Sequence, residues 1–514
     1  MTKFNTKEEL LTFAKKAESL TFEDIDKNNR LKNKRLKGGL GQIIEESLFG
    51  LEINSRKEAD FKELGIELKV TPIKELKNGL ISAKERLVLN IINYETEYKN
   101  TFYTSSFWKK NKELLMMFYL WRKEWGRGDY PIVKAILHSF NEKDLQIIKQ
   151  DWEKIVTKIK EGKAHELSEG DTNYLGAVTK GASSKSVRKQ PFSNKLAKQR
   201  AFSLKQSYMT ALVREKINDE DLYKATNEKF RRKKLHQYKS IIEDHEVLKQ
   251  QTFDEYIINL FKNYIGLNRT ELLDKLNIPQ EKVPKHVNYQ IIRAILKVDG
   301  QGEKILADEF EKANIVVKTI ELNNGKKPVE SLKLHEIGEF TNITEVDWED
   351  SYLYEYLEST RFLFIIFDKI EKDNVILKDA FFWSMPLSDL NETVRLAWED
   401  TKATLLNGVE LTYKPNKTDE GYKVFNNLIK KTDGRIIHVR PSAKVSQYCA
   451  PYRDKKRDRL MNNAKKLPVK AKWKNRPENK KDLLQDDWMT KQAFWLNNDY
   501  IYDNIVKKEL YKNP

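Results

Sequence analysis

Residues 60–69 read Asp60-Phe-Lys-Glu-Leu-Gly-Ile-Glu67-Leu-Lys69. After Gly65, the apolar side chains of Ile66, Leu68 and Val70 alternate with Glu67 and Lys69. That is the period of a strand with one buried face. Asp60 lies on the other side of the Lys62–Gly65 turn and can meet Glu67 at the strand end. Two carboxylates and a lysine at one point are the parts that hold a divalent metal and activate a water. Mg²⁺ in particular takes hard oxygen ligands and keeps several waters. In a chain that is 33% charged, acid–x–Lys triplets abound, and a solvated strand face is the plain alternative.

A second, damaged version of this stretch lies further along the chain. With a shift of 249 residues, 59–71 lie over 308–320, and the damaged copy runs Glu309-Phe-Glu-Lys-Ala-Asn-Ile-Val316-Val-Lys318. Val316 stands where the first copy has its central acid. The same shift puts Lys112 over Arg361, and a shift of 248 puts Glu45 over Arg293. Near the ends, Lys198-Gln-Arg-Ala-Phe-Ser-Leu is similar to Lys491-Gln-Ala-Phe-Trp-Leu. The shared order and near-constant offset indicate a duplicated domain, since the period is far too long for a solenoid. The expected division is 1–213, a charged and helical linker over 214–252, and 253–514. Each half reads as helix, glycine turn, helix, strands and helix: mixed α/β with a central sheet flanked by helices. Helical spacing over 6–19 has Thr6 as its cap candidate. Gln42–Phe49 reads as a second helix, and the stretches from Leu87 and from Leu114 as buried strands.

The 514 residues carry a net charge of +17. A phosphate polymer is the partner such a field favours, although a lysine-rich coding bias gives the same number. The single cysteine, Cys449, excludes an intrachain disulfide and a cysteine-rich zinc site. No run approaches the roughly 18 apolar residues of a membrane helix. The N-terminus reads as an amphipathic helix rather than a signal peptide, so a cytoplasmic protein without a membrane partner is expected. There is no G-x-x-x-x-G-K-[ST] phosphate loop, so no nucleotide cofactor is expected.

Residues 179–205 are rich in Lys and Arg, contain no acid, and have Ser and Gly between the charges. They read as a flexible basic loop suited to phosphate contacts and base edges. Residues 453–481, with Trp473 among them, look like a second version. A disordered basic loop serving solubility is the alternative. Glu45 reads either as a site acid or as an ordinary helix glutamate. Lys112, opening a strand, reads as a second cation near a scissile phosphate or as a strand-end lysine.

GLGQIIEESLFG, DFKELGIELKVTPI, TSSFWKKNKELLMMFY and the stretch from YLGAVTKGAS to RAFSLKQSYMTALV resemble, in that order, the MutH family of methyl-directed repair endonucleases. The duplicated chain resembles the family's two-domain restriction branch, the staphylococcal Sau-type type II enzymes that cut at GATC, over nearly its whole length. The resemblance implies two tandem PD-(D/E)xK nuclease folds, a pseudo-dimer in one chain, and Mg²⁺-dependent cleavage of double-stranded DNA. It implies Asp60 and Glu67 as metal ligands, Lys69 as catalytic lysine, Glu45 as an additional acid and Lys112 as an additional lysine. Lys180, Arg200 and Lys205 become candidate DNA contacts. The family's recognition motif reads more like Arg-Pro-Lys. Here Thr179-Lys180-Gly181 departs from it, and Arg440-Pro441 in the second half fits better. The second domain is expected to bind DNA without cutting and to stimulate the first. The chain is expected to be a monomer in solution, with dimerisation on DNA one way to cut both strands. The competing readings are a repair enzyme that nicks hemimethylated DNA and a non-enzymatic basic DNA-binding protein.

Overall fold

The computed structural model describes residues 3–33, 38–53, 58–76, 78–181, 186–230, 238–279, 286–416, 421–454 and 458–510. It is a mixed α/β protein with several sheets, divided into two compact units. The first comprises 1–261 and 278–316, the second 262–277 and 317–514.

In the first unit, Glu67–Glu75 (β1) and Glu113–Leu120 (β4) pair in parallel, with Glu67 opposite Leu114 and Lys69 opposite Met116. Ile81–Ala83 (β2) and Ile132–Ser139 (β5) close the sheet antiparallel in the order β2-β1-β4-β5. β4 reads as a continuous apolar run because it is central and covered on both faces. The helix Lys7–Lys15 starts at Thr6, whose hydroxyl accepts from Glu9 N while Glu9 returns the bond. It lays Leu10 and Ala14 onto a core with Ile43, Ile44, Phe49, Phe61, Ile66, Leu68, Leu115 and Met117. Phe49 and Phe61 meet edge to face at 5.2 Å, so burial of Phe61 anchors the residue next to Asp60. A buried aromatic of this kind contributes roughly 1.5–3 kcal/mol.

A second sheet in this unit places Arg200–Leu204 (β9) between Leu87–Ile91 (β3) and Leu175–Thr179 (β6), all antiparallel. Val187–Gln190 (β7) and Ser193–Lys198 (β8) form a hairpin. The basic stretch 179–205 is therefore mostly ordered strand, with residues 182–185 outside the described ones.

The charged stretch 214–252 departs from the expected single helix. The helix before it ends at Lys216. Asn218 caps a new one, Asp219–Thr226, which stops at Asn227 with φ +58. A single 3-10 segment follows at His245–Lys249; residues 231–237 lie outside the described ones. A helix polar on every face has nothing to pack, whereas here Ile241, Ile242 and Leu248 are buried. The stretch belongs to the body of the first unit.

The second unit, from Val317 onward, has the sheet order Ile315–Asn323 (β10, whose first two residues belong to the first unit), Arg361–Lys369 (β12), Val375–Trp383 (β13). β12 is buried along almost its whole length. Its other main sheet sets the strand Gln492–Leu496 between Leu332–Glu336 (β11) and Ile437–Pro441, again antiparallel.

Candidate active site

One open pocket of about 770 Å³ in the first unit is lined by many charged side chains, with Glu45, Asp60, Glu67, Lys69 and Lys110 among them. Each arrives for a local reason. The helix Gly39–Ile43 continues as a π-turn over Ile44–Leu48 and carries Glu45. Such turns are costly and recur at functional sites. Phe61 and Ile66 bond each other's backbone across the turn. Gly65 closes that turn at φ +67, where a Cβ would lie 3.3 Å from Lys112 Cε. The turn brings Asp60 back, so that Leu68 N donates to Asp60 Oδ2 at 3.0 Å.

Glu67 is the centre. It is 3% exposed, with Lys69 Nζ at 2.7 Å and Lys110 Nζ at 3.4 Å from its Oε1. Its Oε2 is buried without a hydrogen-bond partner, an expensive arrangement for a charged oxygen. Burial, and then the Glu67 charge, push the Asp60 carboxyl up to about 7. Burial also raises Glu45, against the pull of Lys69. Among the described residues, no group of three or more His, Cys, Asp or Glu is disposed to hold a metal. Two crowded carboxylates with an orphaned oxygen nevertheless suit one hard divalent cation whose remaining positions are filled by water.

The structure brings Asp60, Glu67, Lys69 and Glu45 together and leaves Lys112 out. Lys112 does not open β4. It caps the helix Ser106–Asn111 and lies exposed beside the Gly65 turn. The cation that reaches Glu67 is Lys110, two residues earlier and within that helix, which sequence reasoning missed. A signal was present: the 249-residue shift sets Lys110 over Ser359, so its charge is lost along with that of Glu67, whereas Arg361 keeps that of Lys112.

Two of the candidate DNA contacts are structural. Arg200 is buried, and its Nη1 donates to Ala177 O at 2.5 Å. Lys205 is buried, with Nζ donating to Thr172 O at 2.6 Å. β9 is the central strand of its sheet, which is why its flanking cations are drawn inward. Lys180 is exposed, its backbone N–H tied to Gln199 O. Arg440 is exposed on its strand, with its guanidinium 4.6 Å from the Trp495 ring centroid. Glu309, counterpart of Asp60, is fully buried; it accepts from Ile241 N at 3.0 Å and from Ser240 Oγ, and pairs with Lys143 at 2.9 Å. It is consumed by structure. Arg293, counterpart of Glu45, donates to Gly302 O at 2.8 Å.

Residues 49–151, which hold most of this pocket, match the family model of the DNA mismatch repair enzyme MutH. The type II restriction enzyme Sau3AI of Staphylococcus aureus is 39% identical over 518 residues, covering 98% of this chain and 99% of that enzyme. The DNA mismatch repair protein MutH of Shewanella woodyi is 36% identical over 160 residues, 30% of this chain and 64% of that protein. MutH of Shewanella baltica strain OS195 is 30% identical over 187 residues, 36% of this chain and 81% of its own. No helix among the described residues is long and apolar enough to cross a membrane.

Proposed function

This chain belongs to the MutH-related family of the type II restriction enzyme Sau3AI and is a site-specific DNA endonuclease; from that premise we propose that it cuts double-stranded DNA at GATC, with Mg²⁺ held by Asp60 and Glu67. A divalent ion there supplies a Lewis acid for the scissile phosphate and makes a neighbouring water more acidic. The chain's own residues do the rest. Lys69, held at 2.7 Å by Glu67, orients the attacking water. Lys110 offers a fixed positive charge to the phosphoryl oxygens as their charge grows. Glu45 lines the same pocket and is the additional acid.

The observation that carries the reading is the convergence of these five side chains on one pocket, around a glutamate whose Oε2 is buried and unsatisfied. Alanine at Asp60, Glu67 or Lys69 is expected to abolish Mg²⁺-dependent digestion of plasmid DNA while duplex binding persists. Full cleavage by any of the three purified variants would remove that residue from the mechanism.

The fold we propose is a tandem pair of PD-(D/E)xK domains, a pseudo-dimer whose second member has lost catalysis. In its support, β10 and β12 stand at the positions a 249-residue shift assigns to β1 and β4. Val316, Arg293 and the engaged Glu309 leave that copy without the acids of the first, and all three residues lie in the first compact unit. The second unit would bind DNA as an effector, with Arg440 among its contacts, and Lys180 would contact DNA in the first. The working form is a cytoplasmic monomer that pairs with a second copy on DNA to cut both strands, and it needs no nucleotide.

A further inference from the structure

The hairpin β7–β8 takes no part in the carboxylate pocket. Its turn is Pro191-Phe192, with Gln190 paired to Ser193. Phe192 has φ +61, a left-handed conformation that normally goes to Gly or Asn at the second turn position, because a Cβ crowds the backbone there. Its side chain is 69% exposed. A strained backbone under an exposed ring twice opposes folding, and such outliers point to function.

The tip is also held firmly. Gln190 is buried; its Nε2 donates to Lys195 O at 2.8 Å, and its Oε1 accepts from Ala164 N at 2.7 Å. Gly162, at φ +69, lies so close beneath that a Cβ there would be 2.6 Å from Phe192 O. Tyr98 braces the Phe192 ring edge to face at 5.4 Å. Arg188, Lys189 and Lys195 are exposed on the two strands, and residues 186–200 contain no Asp or Glu. A preorganised aromatic tip on a purely basic ribbon matches the chemistry of a nucleic-acid wedge. The cations meet phosphates, and the ring packs on a base face that bending has exposed.

We infer that Phe192 is a DNA-contacting wedge, packing its ring against an unstacked base step of the bound duplex while Arg188, Lys189 and Lys195 engage the flanking phosphates. The inference rests on the endonuclease reading and adds a contact outside the carboxylate pocket.

The test compares full-length Phe192→Gly, Phe192→Leu and Phe192→Trp with the parent protein, reading KM and kcat on a GATC duplex together with the melting temperature. Phe192→Gly is expected to raise KM about 5- to 100-fold, the range of one lost base–aromatic stack. It should leave kcat and the cleavage position unchanged, and its melting temperature should not fall, because glycine relieves the φ. Phe192→Trp is expected to restore KM. Leucine and tryptophan carry the same backbone cost, so they form a second comparison if the glycine variant folds poorly. A parental KM in Phe192→Gly, or equal KM values for leucine and tryptophan, would overturn the wedge. Because cleavage itself continues in every arm, either result leaves the nuclease assignment standing.

Discussion

Lys110→Ala and Lys112→Ala separate two placements of the second lysine. Lys110 Nζ lies 3.4 Å from Glu67 Oε1, between side chains that are 16% and 4% exposed. At an effective dielectric of about 20, that separation corresponds to a gross Coulomb interaction of about 5 kcal/mol. Little of it is lost from the resting fold, because Lys69 stays at 2.7 Å on the same oxygen. A cost of about 1 kcal/mol in stability is expected. The reacting phosphate has no such substitute. Removing one preorganised positive group from it should lower kcat by roughly 10²–10³-fold. Lys112 is exposed at a helix cap, so Lys112→Ala should leave kcat within about threefold, as expected for a screened surface charge. Single-turnover cleavage of a GATC duplex in Mg²⁺, with thermal melts of the same preparations, reads both quantities. A Lys112 variant as impaired as expected for Lys110, beside a Lys110 variant cutting normally, would refute the geometric argument.

Three further outcomes follow from the same structure. Lys205→Met should destabilise the protein by about 1–3 kcal/mol, by stripping the donor from Thr172 O. DNA affinity in the folded fraction should stay unchanged; weaker binding at unchanged stability would return Lys205 to the DNA interface. A fragment ending at Val213 should melt well below one ending at Val316. The shorter piece loses the pairs Lys143–Glu309 and Asp144–Lys312, at 2.9 and 3.2 Å, and the burial of Phe310 and Ala313 in the first unit, a side-chain burial worth roughly 1.5–3 kcal/mol for the phenylalanine alone; equal melting temperatures would show that 214–316 is dispensable to the first unit. Burial depresses His138 from 6.5 to about 4. The folded state therefore keeps it neutral while the unfolded chain takes up a proton below 6.5. Its contribution is fully present above 6.5 and is lost as pH falls towards 4, by about 3 kcal/mol in all. His138→Phe should flatten denaturant midpoints across that window, and an unchanged slope would contradict the assignment.

The sequence by itself determined the local and periodic features. Alternation through Ile66, Leu68 and Val70 gave β1 its two faces, because strand side chains must alternate. Thr6 marked a helix start, because a cap is made within the first turn, and Glu9 completes it in the structure. Internal similarity exposed Val316 opposite Glu67, and with it the acid that the strand does not need for folding. Asp60, Glu67 and Lys69 could be grouped from the tight turn and the strand alternation, whereas Glu45 is an ordinary helix glutamate by its local pattern and entered only through the family resemblance.

What lay beyond the sequence were contacts made across the chain. Whether Lys110 or Lys112 reaches Glu67 depends on where a short helix stops before β4, a shift of two residues that turns a side chain through about 200° on a helix. Whether the cations of 179–205 face solvent depends on β9 becoming a central strand, which takes Arg200 and Lys205 into the interior. The charged stretch 214–252 reads as helix from its composition, yet Ile241 and Ile242 give their backbone N–H groups to Glu309, nearly seventy residues away. Residue type and spacing set the chemistry available to the site; the choice among neighbouring lysines is made by tertiary packing, because burial of a charge is decided by the partners that packing supplies.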